Sequence, residues 1–358
     1  MVRSPILRRV LFQMHLWTGL TVGVVALLVG LTGSAIVFSG ELDSVALGPL
    51  NRSVDPQLRV SLDDLANQAS VLAGGQPLGL VMLPNGSFRT LRFRFGDVTV
   101  YADPGTGEIL GTATDARGWL WYLRQFHYNF LGGSTGLLVN GICAGLLCLM
   151  CLTGIYLWWP RKVFLPDGRR WDWSVHNTAG IWSAVGLLLL ALTGMYSVWP
   201  VPVMNAIHAV TRTTMPPFTP DSAEGAVSLD RTLRAAQAAL PDGTPTLLRL
   251  PLQQRKAVSV QMRLQGEWRE GGASPVYLER GSARVLRIDR FRDMPLGYRI
   301  YSSFGPLHFG QFGIAWGRAA ALSVKLLWLV LGLTPTLLLV TGFRMWWNKV
   351  QRAASGNS

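Results

Sequence analysis

The chain has 358 residues, of which 49% are hydrophobic and only 15% charged, a balance too apolar for an ordinary soluble protein of this length. Its net charge of +13 invites nucleic acid. The arginines, however, are shared between the flanks of apolar runs and the segments between them, with no basic helix or aromatic-basic module, which excludes that partner. Two readings of the charge stay open: a basic outer surface that draws anionic ligands, or solvated arginines on strands.

The apolar residues concentrate in four runs, Val10–Phe38, Gly136–Trp159, Val175–Trp199 and Ala319–Trp347. Each reaches the roughly 20 residues needed to cross a bilayer. The first is too long for a signal-peptide core and no Ala-x-Ala site follows it, so it is expected to stay as an anchor. Arg3, Arg8 and Arg9 precede the first run. Arg161, Lys162, Arg169 and Arg170 crowd the link between the second and third, and Arg344, Lys349 and Arg352 close the fourth. The excess of cations at these ends places both termini in the cytoplasm and the two long intervening segments outside.

The predicted organisation is a cytoplasmic N-terminus with transmembrane helix 1 (1–39), an outer segment (40–133), helix 2 (134–160), a cytoplasmic loop (161–174), helix 3 (175–199), a second outer segment (200–317), helix 4 (318–347) and a cytoplasmic tail (348–358). In the first outer segment, Ser61–Leu72 has an N-cap and an apolar stripe at helical spacing. Phe88–Phe95 and Val98–Tyr101 flank Gly96-Asp97 as a hairpin, and Trp119–Phe130 is an aromatic interfacial helix. The second segment repeats the order, with a helix from Ser228 and strands near Thr246–Leu250, Ala257–Leu264, Pro275–Leu278 and Arg284–Ile288. The fold class is thus a mainly α membrane protein with α+β insertions, a four-helix bundle built from two pseudo-symmetric halves.

Four of the five histidines follow an internal repeat. His15 and His176 each lie 17 residues before a Thr-Gly pair, Thr32-Gly33 and Thr193-Gly194, with a glycine four residues after the histidine. His127 and His308 each precede a helix ending in Thr-Gly and Trp-Trp, namely Thr153-Gly154 with Trp158-Trp159 and Thr341-Gly342 with Trp346-Trp347. Chain direction puts His15 and His176 at one depth and His127 and His308 at the other. Paired imidazoles at fixed depths suggest axial haem ligands, two sites with one histidine from each half. Interface histidines that bind headgroups are the plainer alternative. Zinc lacks acidic or thiol ligands at suitable spacing. Glycines 19, 23, 30 and 33, and 180, 186 and 194, serve either porphyrin approach or close helix packing. Cys143, Cys148 and Cys151 lie inside helix 2, so they form no disulfide framework, and the Cys148–Cys151 spacing is read as packing rather than redox chemistry. There is no Cys-x-x-Cys-His, so haem is not attached covalently. His208 stands outside the repeat and is read as a surface or interfacial residue, with contact to substrate as the lesser alternative.

The sequence resembles the PepSY-associated transmembrane helix proteins of bacterial iron-regulated inner membranes. The resemblance rests on His15 and His176 near helix starts, Thr153-Gly154-Ile-Tyr-Leu-Trp158-Trp159-Pro-Arg161, Leu307-His308, and the turn Val100-Tyr-Ala-Asp103-Pro-Gly-Thr-Gly107-Glu-Ile-Leu. It departs in the second outer segment, which keeps only Leu278-Glu-Arg-Gly281-Ser, and at Trp173-Ser-Val-His176-Asn. The resemblance implies a small PepSY-like periplasmic domain in each half, two haem b, and reduction of a ferric siderophore so that iron leaves as Fe(II). The cytoplasmic-side haem would take His15 and His176 and the periplasmic-side haem His127 and His308. Trp121, Tyr122, Tyr128, Tyr301 and Phe309 crowd the outer site, to shield a haem edge or contact substrate, or as an ordinary aromatic belt.

No dinucleotide fingerprint is present, so the electron donor is expected to be a partner: a quinol, a cytoplasmic flavoprotein or a small reductant. Two rival functions remain. A siderophore or metal permease would need polar residues along a mid-membrane path, where only Lys325 and hydroxyl residues are on offer. A non-enzymatic PepSY binding or regulatory protein would leave the repeated histidines without a role. Pro335 is expected to kink helix 4.

Overall fold

The computed structural model describes residues 5–53, 55–114, 118–160, 162–166, 168–215, 217–253 and 255–355. Arg3 and Arg161 of the basic flanks lie outside them, as does the side chain of Arg169. The chain opens with α1 (Pro5–Ile36), a short α2 (Ser39–Leu47) and α3 (Leu62–Leu72), followed by strands β1 (Leu78–Met82), β2 (Leu91–Phe95), β3 (Val98–Ala102) and β4 (Ile109–Thr114). Then come α4 (Trp119–Asn129), α5 (Gly133–Trp158), α6 (Trp171–Val198), α7 (Pro200–Thr211) and α8 (Leu229–Ala239). Strands β5 (Thr244–Arg249), β6 (Val258–Arg263), β7 (Ser274–Leu278) and β8 (Val285–Ile288) lead to α9 (Leu296–His308) and α10 (Arg318–Ala354).

Among the described residues, α1, α5, α6 and α10 are long and apolar enough to cross a membrane, at 32, 26, 28 and 37 residues. The four apolar runs are therefore borne out, although α1 starts earlier and α10 continues past Trp347 to Ala354. The helices form a ring: α1 packs on α5 and α10, and α6 packs on the same two, leaving α1 and α6 diagonal. Close approach depends on small residues. A Cβ on Gly30 would stand 2.2 Å from the Gly332 carbonyl oxygen, and the Ser34 hydroxyl donates to Leu329 O at 2.9 Å across the same α1–α10 contact. Most of the helix glycines named above meet a neighbouring helix, Gly23 against Leu339 and Gly186 against Leu331. Cys151 is buried with Leu187 and Leu331 as a packing residue.

Pro335 lies inside α10, which runs through it without interruption. A proline removes the N–H that would reach the carbonyl four residues back. Here the neighbouring Thr334 hydroxyl donates to that carbonyl, Leu331 O, at 2.7 Å. In hydrocarbon such a replacement matters, because no water is present to do it.

The two outer segments, expected to fold as separate small domains, share one antiparallel sheet in the order β4-β3-β2-β1-β5-β6-β7-β8. The seam is β1 against β5, with Val81 opposite Leu248. The period-2 pattern of β2 buries Leu91, Phe93 and Phe95 and turns Arg92 and Arg94 the other way. Those residues join Val81, Val100, Leu248, Val258, Val260 and Leu278 in a continuous core, all 0–2% exposed, under α3 and α8. Burying each such side chain is worth about 1.5–3 kcal/mol.

The starts of α3 and α8 are tied crosswise. Ser61 caps α3 through Asp64 N at 3.1 Å, and Ser228 caps α8 through Arg231 N at 3.2 Å. The Asp63 carboxylate then accepts from Ser228 Oγ and Leu229 N, both at 2.6 Å. The Asp230 carboxylate accepts from Ser61 Oγ at 2.7 Å and Leu62 N at 3.0 Å. Each helix thus lends a carboxylate to the positive N-terminus of the other. Burial raises the Asp230 pKa, but these bonds outweigh it and hold the group below its ordinary value.

Periodicity did not reveal α2, α7, α9 or β1. In α9 the signal is broken by Gly297, Gly305 and Pro306, residues that argue against a helix from propensity alone.

Candidate functional site

The four repeated histidines form two pairs at opposite ends of the bundle. His15 on α1 and His176 on α6 lie at the end away from the sheet, with ring centroids 6.3 Å apart. His127 ends α4 and His308 ends α9, near the sheet, with centroids 6.2 Å apart. Asn140 of α5 anchors α4 by donating to His127 O at 2.8 Å and Tyr128 O at 3.0 Å. Trp328 of α10 anchors α9 through Leu307 O at 2.9 Å.

Each ring is seated by a Thr-Gly pair from another helix. Nδ1 of His15 meets Thr153 Oγ1 at 3.0 Å, and Nδ1 of His127 meets Thr32 Oγ1 at 3.2 Å. Nδ1 of His176 meets Thr341 Oγ1 at 3.1 Å, and Nδ1 of His308 meets Thr193 Oγ1 at 3.1 Å. The glycine that follows each threonine lies under the ring. A Cβ there would stand 2.9 Å (Gly33), 3.2 Å (Gly154), 3.2 Å (Gly194) or 3.3 Å (Gly342) from an imidazole Cε1. The Thr-Gly repeat, which in sequence looks like a helix ending, is a socket for the histidine of a neighbouring element.

These contacts fix the tautomer. The four threonine hydroxyls donate to carbonyls four residues back, Leu28, Leu149, Leu189 and Leu337, at 2.7–2.8 Å. Their oxygens are then acceptors toward the imidazoles. His127, His176 and His308 also meet carbonyl oxygens through Nδ1, of Val29 at 3.0 Å, Leu338 at 3.1 Å and Leu190 at 3.1 Å. A carbonyl only accepts, so Nδ1 carries the proton and Nε2 presents a lone pair, the form in which a neutral imidazole binds metal.

The pairs suit one kind of metal group. With metal–nitrogen bonds of about 2.0–2.1 Å and a ring nitrogen about 1.1 Å from its centroid, two imidazoles on opposite sides of one ion have centroids roughly 6.3 Å apart. Both pairs meet that spacing. Among the described residues no cluster of three His, Cys, Asp or Glu could hold a bare ion. Two such imidazoles could hold a group that needs only two ligands from the protein, such as the iron of a porphyrin.

Beside the sheet-proximal pair lies a cavity of about 470 Å³ lined by Asn85, Phe88, Arg92, Tyr196, Arg269, Glu270, Gly271, Gly305, Pro306, Phe309 and Gln311. Phe309 is one of the aromatic residues expected at this site, its ring 5.6 Å from that of His308. Tyr301 stands one step back, edge-on to Tyr196 at 5.8 Å. Trp121 and Tyr128 are not among the lining residues; Trp121 packs on Tyr122 and the Tyr128 hydroxyl donates to Ser197 O at 3.4 Å. His208 is half-buried on α7, with Nδ1 2.9 Å from Thr213 Oγ1, and faces α9 at Gly297 rather than a histidine pair. Lys325 pairs with Glu41 at the sheet-proximal end. Sequence reasoning missed Arg92 and Arg269. The only signal for Arg92 was its place on the outward face of an alternating strand.

The PepSY-associated TM region family matches residues 12–349. The chain belongs to this family. An uncharacterised protein of Pseudomonas aeruginosa is 32% identical over 150 residues, a match covering 37% of this chain and 35% of that protein. The chain thus spans about a third of that relative's length. In this PepSY-associated TM protein the matched region contains all four paired histidines and their Thr-Gly sockets.

Proposed function

We propose that the protein is a dihaem b-type reductase of the bacterial inner membrane that passes electrons to a periplasmic ferric siderophore. The observation that carries this reading is the close pair of imidazoles at each end of the bundle, with each Nδ1 occupied by a socket and Nε2 left as the nitrogen that would bind iron. When bound, haem supplies a one-electron Fe(III)/Fe(II) couple at each site. With two histidines from the protein at each site, the bound group would keep no position for oxygen, which favours electron transfer over oxygen chemistry.

In this reading His15 and His176 hold the cytoplasmic-side group and His127 and His308 the periplasmic-side group. The 17 residues from His15 to Thr32 separate the two levels by about 25 Å at 1.5 Å per residue. The socket threonines keep each ring in one tautomer and orientation. With haem held there, the protein would relay single electrons from a partner donor (a quinol, a cytoplasmic flavoprotein or a small reductant) to the ferric chelate. Fe(II) is held less tightly by hard oxygen ligands, so iron is released. Arg8, Arg9, Lys162, Arg170, Arg344, Lys349 and Arg352 lie at the sheet-distal end, which supports a cytoplasmic location for both termini. The two halves then contribute PepSY-like periplasmic domains, merged at the β1–β5 seam, to a pseudo-symmetric molecule.

The test is a reduced-minus-oxidised optical spectrum of detergent-purified protein with haem quantified per chain. The reading expects two b-type haems, one lost with His15→Ala or His176→Ala and the other with His127→Ala or His308→Ala. Absence of haem after expression with ample haem supply would overturn it and favour the permease or the non-enzymatic binding protein.

A further inference from the structure

The cavity beside the sheet-proximal histidines holds charge that the bundle does not use. Arg92 points from β2 away from the hydrophobic core, its guanidinium carbon 3.9 Å from the centre of the Phe88 ring. Burial pulls its pKa below the ordinary guanidinium value, partly offset by Tyr101, Glu270 and Asp43. Its Nε is buried and, among the described residues, has no hydrogen-bond partner. A buried donor left unpaired is costly, and a bound acceptor would remove that cost.

Arg269 lies on the same cavity and makes a long 3.4 Å bond to Ser302 O. That carbonyl lies four residues before Pro306 and so has no helix donor. Arg269 thereby reaches α9 six residues before His308. Among the described residues, Glu270 is the one carboxylate that lines the cavity. It is packed against Gly86, where a Cβ would stand 1.5 Å from its Oε1. Two guanidiniums against one carboxylate leave the cavity net positive, and Asn85, Gln311 and Tyr196 add neutral polar groups. Planar guanidinium forks with neutral donors beside them recognise carboxylates.

We propose that this cavity is a carboxylate-binding site in which Arg92 and Arg269 grip the ligand. The proposal rests on the reductase reading for the origin of that carboxylate, which is either an acidic ferric chelate of the citrate class or the propionate arms of the periplasmic-side haem. Gallium(III) citrate separates the two questions, because gallium is redox-inert and its binding is read without electron transfer. By isothermal titration calorimetry on the whole chain, it should bind wild type and bind R92Q about 10- to 100-fold more weakly. R92K, which keeps the charge but loses the fork, should fall between.

A spectroscopic redox titration of the same variants is the second arm. Gallium citrate binding that depends on Arg92, with haem content and both midpoint potentials unchanged in R92Q, assigns the carboxylate to the chelate. No gallium citrate binding by wild type, with the sheet-proximal site losing haem or potential in R92Q but less so in R92K, assigns it to the haem arms. The exposed Arg269→Gln is a second variant with little bearing on folding. If wild type does not bind gallium citrate, and R92Q and R269Q change neither haem content nor potential, the proposal is overturned. Protein that purifies without haem yet binds gallium citrate through Arg92 would keep the cavity assignment while the reductase reading fell.

Discussion

Gly33→Ala is the sharpest probe of the histidine sockets. The added methyl carbon would stand 2.9 Å from His127 Cε1, whereas carbon atoms rest about 3.5–4.0 Å apart. The ring must therefore retreat by about 0.6–1.1 Å. Ligand distances in a working metal site hold to about ±0.2 Å, so in the proposed dihaem reading His127 would no longer reach the metal. It also loses alignment with Val29 O and Thr32 Oγ1, now at 3.0 and 3.2 Å. Damage to such outer contacts typically costs about 10–100-fold in metal affinity, or roughly 1.4–2.7 kcal/mol. Gly19→Ala is the matched control on the same helix, because its Cβ meets only the flexible Met150 Cε at 3.5 Å. Haem per chain and the reduced-minus-oxidised spectrum should show the periplasmic-side site depleted in G33A and the His15–His176 site intact. Wild-type haem content with an unshifted potential in G33A would refute the socket argument. Equal losses in G19A and G33A would attribute the effect to helix packing instead.

Thr153→Val removes the hydroxyl acceptor for the His15 Nδ1 proton and, in the proposed dihaem reading, makes that imidazole a weaker electron donor. The cytoplasmic-side potential should rise by on the order of 20–60 mV for a bond worth about 1 kcal/mol, and Thr153→Ser should restore it in the same titration. Asp230→Ala removes the crossed carboxylate at the start of α3, so exchange of the Leu62 and Asp63 amides, followed by mass spectrometry, should quicken as about 1–2 kcal/mol of capping is lost. Because the Asp230 pKa is depressed in the folded state, its stabilisation is full above the unfolded carboxylate value near 3.9 and is lost as pH falls through the folded value. The α3 amides should therefore lose protection only in that acidic window, and loss of protection above about pH 5 would contradict the assignment. Leu248→Ala empties a fully buried position at the β1–β5 seam and should destabilise the sheet by about 2–5 kcal/mol in denaturant unfolding. A cost below about 1 kcal/mol would mean that the seam is not part of the core.

Much of this was legible in the chain alone, because the signals involved are local. Four apolar runs reach membrane length whatever surrounds them, and the serine caps at Ser61 and Ser228 announce α3 and α8. The histidine repeat is visible as spacing, and chain direction assigns each histidine a depth, since a membrane helix has only two ends. Contacts between distant segments were not legible. Thr32-Gly33 reads as the end of the helix that His15 opens, yet it seats His127, and only packing of α4 on α1 makes that exchange. The outer segments look like two small domains because alternation marks strands but not which strand they meet; the β1–β5 seam depends on edges 160 or so residues apart finding each other. Arg92 reads as one more outward arginine on a strand until the sheet and α9 close a cavity around it. The sequence by itself determined which segments are long and apolar enough to span a membrane and which histidines share a depth. Tertiary structure alone decided which imidazoles come together and where unpaired charge is buried, because both depend on distances between elements that no local pattern encodes.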